Sequence, residues 1–484
     1  MKIALRDSSL LRTNLYIDGE WRVPKDGRRI PVYDPASGAW IAEIAHASER
    51  DIEDAIQAAY RSWQSWKNTL AKDRGKLLRQ WGEAMLQHKE DLGMIITREQ
   101  GKPLREAVGE IIYAAQYLLF YAEEAVRTYG DIIPTPFEGA RLLVLKQPVG
   151  PVGIITPWNF PVAMFVRKAA AALAAGCTCV IKPDERTPLS AYAVMELAHR
   201  VGFPAGVLNM LTGDPPQIGE MLSSDARIRK ISFTGSTATG RLLMQWAAKV
   251  PKPVTLELGG NAPFIVFDDA DIPSAVEGLI ASKFRNSGQT CICVNRVFVH
   301  RHIAADFKKA LEAKLEALQI GPGVQNPDVG PLIDDKAFEK VEHLVDDAVQ
   351  RGAELSCQLF EPHSRGLFYP PTIIAEVQPE MDIFRTEIFG PVISLIPFDD
   401  DAQVLQMAND TEYGLAAYFY TNNPRRIWTV AEALEYGMVG INTGRISTPH
   451  APFGGIKASG FGREGSKYGI EEYLVTKYLN WSGL

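Results

Sequence analysis

The chain is 484 residues long, with 51 Lys+Arg against 58 Asp+Glu, a formal net charge of −7 and 46% hydrophobic residues. At ~150 residues per domain this length predicts roughly three domains with a large buried core, and the composition excludes disordered and collagen-like chains. The acidic balance, with no basic run beyond pairs such as Arg425-Arg426, excludes electrostatic capture of nucleic acid.

Residues 169–181 form the longest nearly apolar stretch, bracketed by Arg167-Lys168 and Lys182. It falls well short of the ~20 residues that span a bilayer, so no membrane partner is expected. Charges at Lys2, Arg6 and Asp7 interrupt the start before any signal-like apolar region, and the chain reads as cytoplasmic. Five cysteines, at 177, 179, 291, 293 and 357, suit a reducing compartment better than a disulfide framework. The two Cys-x-Cys pairs lack structural-zinc spacing and the eight histidines form no HExxH cluster, so no metal is expected.

In chain order, residues 48–130 predict several amphipathic helices: Ser48 can cap Asp51-Ile52, and Ile52, Ala55, Ile56, Ala59 and Trp63 recur at helical spacing. After Gly130 short apolar runs at 142–145, 152–156, 178–181, 207–211 and 230–233 read as strands, with helices at 163–175 and 189–201 between them. Such alternation predicts βαβ units and a parallel sheet, with chemistry in the loops after the strands. A second alternating stretch has strands at 262–267 and 297–300 and helices at 272–285, 305–317 and 335–351. The tail at 473–479 alternates like a strand that can pair with another subunit.

Three segments carry candidate chemistry. Residues 282–293 place Cys291 after a Gly-containing turn with Lys283 and Arg285 nearby, a setting that can expose a thiolate; the same residue type also serves as a small buried hydrophobe. Glu257 stands in an apolar strand-like run that ends in Gly259-Gly260, either as a general base raised by burial or as a paired, edge-exposed glutamate. At Phe233-Thr234-Gly235-Ser236 a strand turns into a helix, a layout that offers backbone N–H groups to a phosphate, although it lacks the G-x-G-x-x-G fingerprint.

Together with Pro157-Trp158-Asn159-Phe160-Pro161, Lys182-Pro183-Asp184-Glu185, Glu387-Ile388-Phe389-Gly390-Pro391 and Pro452-Phe453-Gly454-Gly455, these segments stand in the order of the aldehyde dehydrogenase superfamily, which the chain resembles over nearly its whole length. Within it the chain is most similar to bacterial succinate-semialdehyde dehydrogenases, especially at 282–293, 409–420 and 462–470. The resemblance implies an α/β fold in three parts. These are a Rossmann-type cofactor domain (1–128 and 150–256), an α/β catalytic domain (257–460), and a β oligomerisation element (129–149 and 461–484) that joins subunits into a homodimer or homotetramer.

The resemblance also implies roles. Cys291 attacks the aldehyde, Asn159 holds the oxyanion, Glu257 activates water against the resulting thioester, and Lys168 and Glu464 relay protons. NAD or NADP is expected along Ile155, Thr156, Pro157, Trp158, Lys182, Asp184, Glu185, Thr234, Gly235, Ser236, Leu258, Glu387 and Phe389. Asp184 beside Glu185 favours NAD, because two carboxylates repel a ribose 2′-phosphate. Arg167, Arg285 and Ser447 match a carboxylate-binding set, and Arg445 departs from the family pattern in a way that suits a longer semialdehyde such as glutarate semialdehyde. Cys293 suggests a reversible disulfide with Cys291. A general aldehyde dehydrogenase, a cysteine hydrolase and a catalytically silent binding protein are the weaker readings; the hydrolase lacks a Cys-His-Asn set, and the silent protein would have lost Cys291, Glu257 or Asn159.

Overall fold

A computed structural model describes residues 3–483. Ser48 opens the helix Glu49–Trp66 with a reciprocal cap, in which its hydroxyl accepts the Asp51 N–H while the Asp51 carboxylate accepts the Ser48 N–H. The helices Ala71–Gln87, Lys89–Gln100 and Leu104–Glu124 follow and pack on one another. They cover the helix Ala163–Ala175, which is buried all round because its sequence is apolar all round apart from Arg167 and Lys168.

Five parallel strands form the heart of the first sheet, in the spatial order Leu208–Met210, Cys179–Lys182, Val152–Ile155, Lys230–Thr234, Val254–Glu257. The chain builds outward from Val152–Ile155 on one side and then returns to add Lys230–Thr234 on the other, so the order reverses between these two strands. Leu15–Ile17 and Glu20–Arg22 extend one edge antiparallel. Three-residue strands carry too little alternation to read from sequence, and no element was expected before residue 48.

The second sheet has seven strands, ordered Glu354–Gln358, Thr372–Ala375, Val392–Phe398, Val294–His300, Ala262–Val266, Ala416–Tyr420, Met438–Ile441, and only the first is antiparallel to its neighbour. Its central strands are buried on both faces, which is why Ala262–Val266 and Ala416–Tyr420 lack a polar alternation. Residues 258–261 alone join the end of Val254–Glu257 to the start of Ala262–Val266, so carboxyl ends of the first sheet meet amino ends of the second.

Leu474–Ser482 pairs along its whole length with Ala140–Pro148, which also pairs with Asp131–Ile133, forming a three-stranded arm. The tail grouped with this arm in the sequence reading divides in the structure. Gly460–Phe461 edges the first sheet against Leu256 and Glu257, the helix Ser466–Glu471 packs on the Ala163–Ala175 and Leu104–Glu124 helices, and only the last strand joins the arm. Among the described residues no helix is long and apolar enough to cross a membrane.

Candidate active site

Doubly wound sheets open a ligand crevice outside the carboxyl ends where strand order reverses. At that point here lies a cavity of about 230 Å³, walled by Pro157, Trp158 and Asn159 after one strand and by Thr234, Gly235 and Ser236 after the other. Leu258, Lys340, Glu387, Phe389 and Cys291 complete it. A Cβ on Gly235 would lie 2.3 Å from the Phe233 ring, so only glycine allows this close turn. The Ser236 hydroxyl caps the helix Thr237–Ala247 by accepting the Thr239 N–H at 3.2 Å, and no acidic residue occupies the first turn, which leaves the positive helix end free for an anion. The Thr156 and Thr234 hydroxyls are buried without a partner. Phe389 (φ 58°) meets Trp158 edge-on, with ring centroids 5.6 Å apart. Burial pushes the Glu387 carboxyl up to about 7 against the pull of Lys340, while one of its oxygens accepts the Gly260 N–H at 3.1 Å. These orphaned hydroxyls, the open helix end and the aromatic walls fit a dinucleotide.

The crevice's flank alters the charge reading. Ile155 pairs with Lys182 on the adjacent strand, which brings 182–186 alongside. Asp184 and Glu185 are not the free carboxylates expected from the sequence. Arg186 grips both Asp184 oxygens at 2.9 Å and lies 5.3 Å over the Trp158 ring, and Lys182 bonds Glu185 at 2.7 Å. Each acid has a local cation, although Arg186 is shared with Asp334 at 2.8 Å, so repulsion of a 2′-phosphate is reduced.

Cys291 owes its position to a strained turn. After the helix Ile272–Lys283, Asn286, Ser287 and Gly288 take φ of 50°, 57° and 79° in succession. Two non-glycine residues in this region cost ~1–3 kcal/mol each, and persist only when the surroundings over-determine them. Those fastenings are visible. Ser287 Oγ donates to the Gly330 carbonyl at 3.0 Å, Gln289 spans to Pro331 and Ile333, and Asn159 Nδ2 donates to the Gln289 carbonyl at 3.0 Å. A Cβ on Gly288 would meet the Gly390 carbonyl at 2.3 Å. The half-buried Cys291 thiol is pushed up to about 12 by burial, with Arg167 as the leading opposing charge. Cys291 and Cys293 are both free thiols, and the buried Cys293 Sγ lies within reach of the carbonyls of Lys283 and Val294 as S–H acceptors. This loop also precedes its strand, whereas the sequence reading looked for chemistry after strands; that rule serves the first sheet only.

Glu257 ends its strand at 1% exposure, and both carboxylate oxygens lack a hydrogen-bond partner. Burial, reinforced by Glu464, raises its pKa well above the usual carboxylate range. Glu464 in turn pairs with Lys168 through one oxygen and Arg167 through the other. Burial lowers the Lys168 ammonium. Arg167 lies 4.4 Å over the Phe453 ring.

On the other side of the nucleophile, Thr290 and Ile292 face a second cavity of about 650 Å³ that also holds Phe160, Tyr113, Arg285, Arg445 and Ser447. Arg285 stacks 4.7 Å over Phe160 and has no carboxylate at ion-pair distance among the described residues. Ser447 is bonded to the Tyr113 hydroxyl, and Arg445 is exposed. Arg167, expected with this set, does not line the cavity and is spent on Glu464. Sequence reasoning missed Lys102, Glu106, Glu110, Tyr113, Asn286 and Lys340. A signal existed for three of them: charges at 102, 106 and 110 recur at four-residue spacing, which stacks them on one face at the start of the Leu104–Glu124 helix.

A cysteine between a dinucleotide crevice and a second, arginine-bearing cavity, with an unpaired buried carboxyl beside it, fits a dehydrogenase that oxidises aldehydes through its thiol. The model of the aldehyde dehydrogenase family matches residues 21–479, and the chain belongs to that family. Its members use NAD or NADP, and the protein is an NAD(P)-dependent oxidoreductase. It is similar to a mitochondrial succinate-semialdehyde dehydrogenase of Arabidopsis thaliana, 52% identical over 477 residues covering 98% of this chain and 90% of the relative. A glutarate-semialdehyde dehydrogenase of Pseudomonas putida is 52% identical over 98% of this chain and 99% of its own. Among solved structures, an NADP-dependent enzyme of Escherichia coli superposes with a TM-score of 0.98 at 51% identity, over 99% of this chain and 100% of that one.

Proposed function

We propose that the protein oxidises succinate semialdehyde to succinate. The observation that carries this reading is Arg285, an arginine with no carboxylate at ion-pair distance among the described residues although its charge also acts on Glu106 in the same wall, standing with Ser447 in the cavity that reaches Cys291 through Thr290 and Ile292. The guanidinium and the hydroxyl bind the carboxylate tail and hold the aldehyde carbon at the thiol.

The Cys291 thiol gives its proton to solvent as its sulfur bonds to the carbonyl carbon, giving a thiohemiacetal. Asn159 has spent one amide proton on Gln289 and presents the other to the oxyanion. Bound NAD or NADP supplies the hydride acceptor. Ser236 and its helix would hold the pyrophosphate, Thr156, Trp158 and Leu258 the crevice walls, and Glu387 a ribose hydroxyl. Glu257, once deprotonated, takes a proton from water as the water attacks the thioester, releasing succinate and the thiol. Lys168 and Glu464 stand next to Glu257 and receive that proton.

Cofactor preference is set at Lys182, Asp184, Glu185 and Arg186, whose formal charges cancel. NAD is accepted without rearrangement, whereas a 2′-phosphate must compete with Glu185 for Lys182. The deciding experiment compares kcat/KM for succinate semialdehyde, glutarate semialdehyde and butanal, each with NAD and NADP. Succinate semialdehyde should lead; equal rates for butanal would refute carboxylate recognition. Glutarate semialdehyde is the second reading, supported by Arg445 in the same roomy cavity.

The arm exposes Ile132, Tyr478 and Trp481, and pairs with a second copy in a homodimer or homotetramer. Five free thiols accord with the cytoplasm.

A further inference from the structure

Lys102 and Glu110 take no part in the steps above, yet both side chains are fully enclosed. Lys102 Nζ donates to a Glu110 oxygen at 2.7 Å and to the backbone carbonyl of Asn159 at 2.7 Å, and lies 3.8 Å over the Phe160 ring. The second Glu110 oxygen accepts the N–H groups of Val162 at 2.9 Å and Ala163 at 3.0 Å, where the helix bearing Arg167 and Lys168 begins. From the opposite side the Asn286 amide donates to the same Asn159 carbonyl at 2.9 Å.

The decisive detail is how the Asn159 side chain is hinged. Its Oδ1 accepts the N–H of Phe160 at 3.1 Å, and that N–H belongs to the same peptide group as the carbonyl that Lys102 holds. The plane of the side-chain amide therefore follows the 159–160 peptide, and whatever fixes that peptide fixes the direction of Nδ2. A buried ion pair is weak evidence for stability, since apolar residues of similar volume often replace one at no net loss. What this pair adds is orientation: it ties the peptide to the start of a rigid, wholly buried helix.

We propose that Lys102 and Glu110 are positioning residues that aim the Asn159 amide at the oxyanion formed on Cys291; this rests on the role proposed for Asn159 above.

A double-mutant cycle on the full-length enzyme tests it, with kcat/KM for succinate semialdehyde as the readout. Lys102→Met should cost roughly 10- to 100-fold, because a ~1 Å misplacement near the reacting atoms can cost ~10²-fold. In an Asn159→Ala background the same substitution should cost less than about threefold, since there is no amide left to aim. Cofactor affinity, followed by fluorescence titration, should be unchanged in Lys102→Met and Glu110→Gln relative to the parent of the same background. Glu110→Gln, which keeps the shape and removes the charge, runs the same cycle if Lys102→Met fails to fold, and should show the same non-additivity. Equal fold-losses in both backgrounds, or full activity in Lys102→Met, overturn the proposal. An Asn159→Ala enzyme with wild-type activity, or a wild type that oxidises no aldehyde, overturns the underlying reading instead.

Discussion

Replacing Arg285 with Met tests how the substrate is chosen. Met keeps an apolar stem against Phe160 and removes only the charge, and Glu106, on which that charge also acts, keeps the Asn286 N–H and the field of Lys102. Opposite unit charges ~4 Å apart interact by ~4 kcal/mol at an effective dielectric of ~20. A cavity of about 650 Å³ that admits water screens part of this. The loss then falls near the ~1.5–3 kcal/mol typical of a hydrogen bond to a charged group. At ~1.4 kcal/mol per tenfold, kcat/KM for succinate semialdehyde should drop roughly 10- to 150-fold. Butanal, which has the chain length without the carboxylate, should change by less than about threefold. Both rates come from the absorbance of the reduced nicotinamide at saturating cofactor. A parallel fall for the two aldehydes would show that Arg285 supports the nucleophile loop rather than the tail, and the reasoning would fail.

Three further outcomes follow from the buried acids and the arm. Glu257→Gln should release about one reduced cofactor per active site in a burst and then stall at the thioester, seen by stopped flow; steady turnover without a burst would assign the base elsewhere. In the wild type the raised pKa of Glu257 makes thioester hydrolysis quicken as pH rises and the carboxyl loses its proton, and Glu257→Gln should remove that dependence. Glu387, raised from 4.5 to about 7, binds its proton more tightly folded than unfolded. It therefore costs stability as pH climbs through that window, by at most about 3 kcal/mol above pH 7, so the Tm advantage of Glu387→Gln over wild type should widen between pH 5 and 8.5 in thermal scans. Tyr478→Asp with Trp481→Asp should shift the protein to monomer in light scattering, and an unchanged mass would move the subunit contact off the arm.

The parts of this fold legible in the sequence are those whose signals are local. The Ser48 cap, the all-apolar Ala163–Ala175 helix and the continuous strands of the second sheet each carry their pattern within a dozen residues. The short strands Leu15–Ile17 and Glu20–Arg22 do not, since their place depends on a free edge supplied by Leu208–Met210. The site divides in the same way. Cys291, Glu257 and Asn159 lie in recognisable segments, and the structure places each at the crevice or beside it. Pairings across the fold were invisible: Arg167 is claimed by Glu464, 297 positions later, and Lys102 reaches Asn159 over 57. Asp184 shows that even a local pairing can escape a sequence pattern, because Arg186, two residues on, grips both its oxygens.

The charges around Cys291 explain why a site for oxyanion chemistry can remain quiet at rest. Burial pushes both the thiol and the carboxyl towards their protonated forms. Two anions there would repel each other with little water to screen them. Arg167 is the leading cation acting on both groups, and it favours the ionised form of each. Its own freedom is removed by Glu464 on one side and the Phe453 ring on the other. An arginine expected from sequence to hold a substrate's tail thus stands where its field favours ionisation of both groups. Glu464 holds that cation outside the second cavity, where Arg285 stands instead.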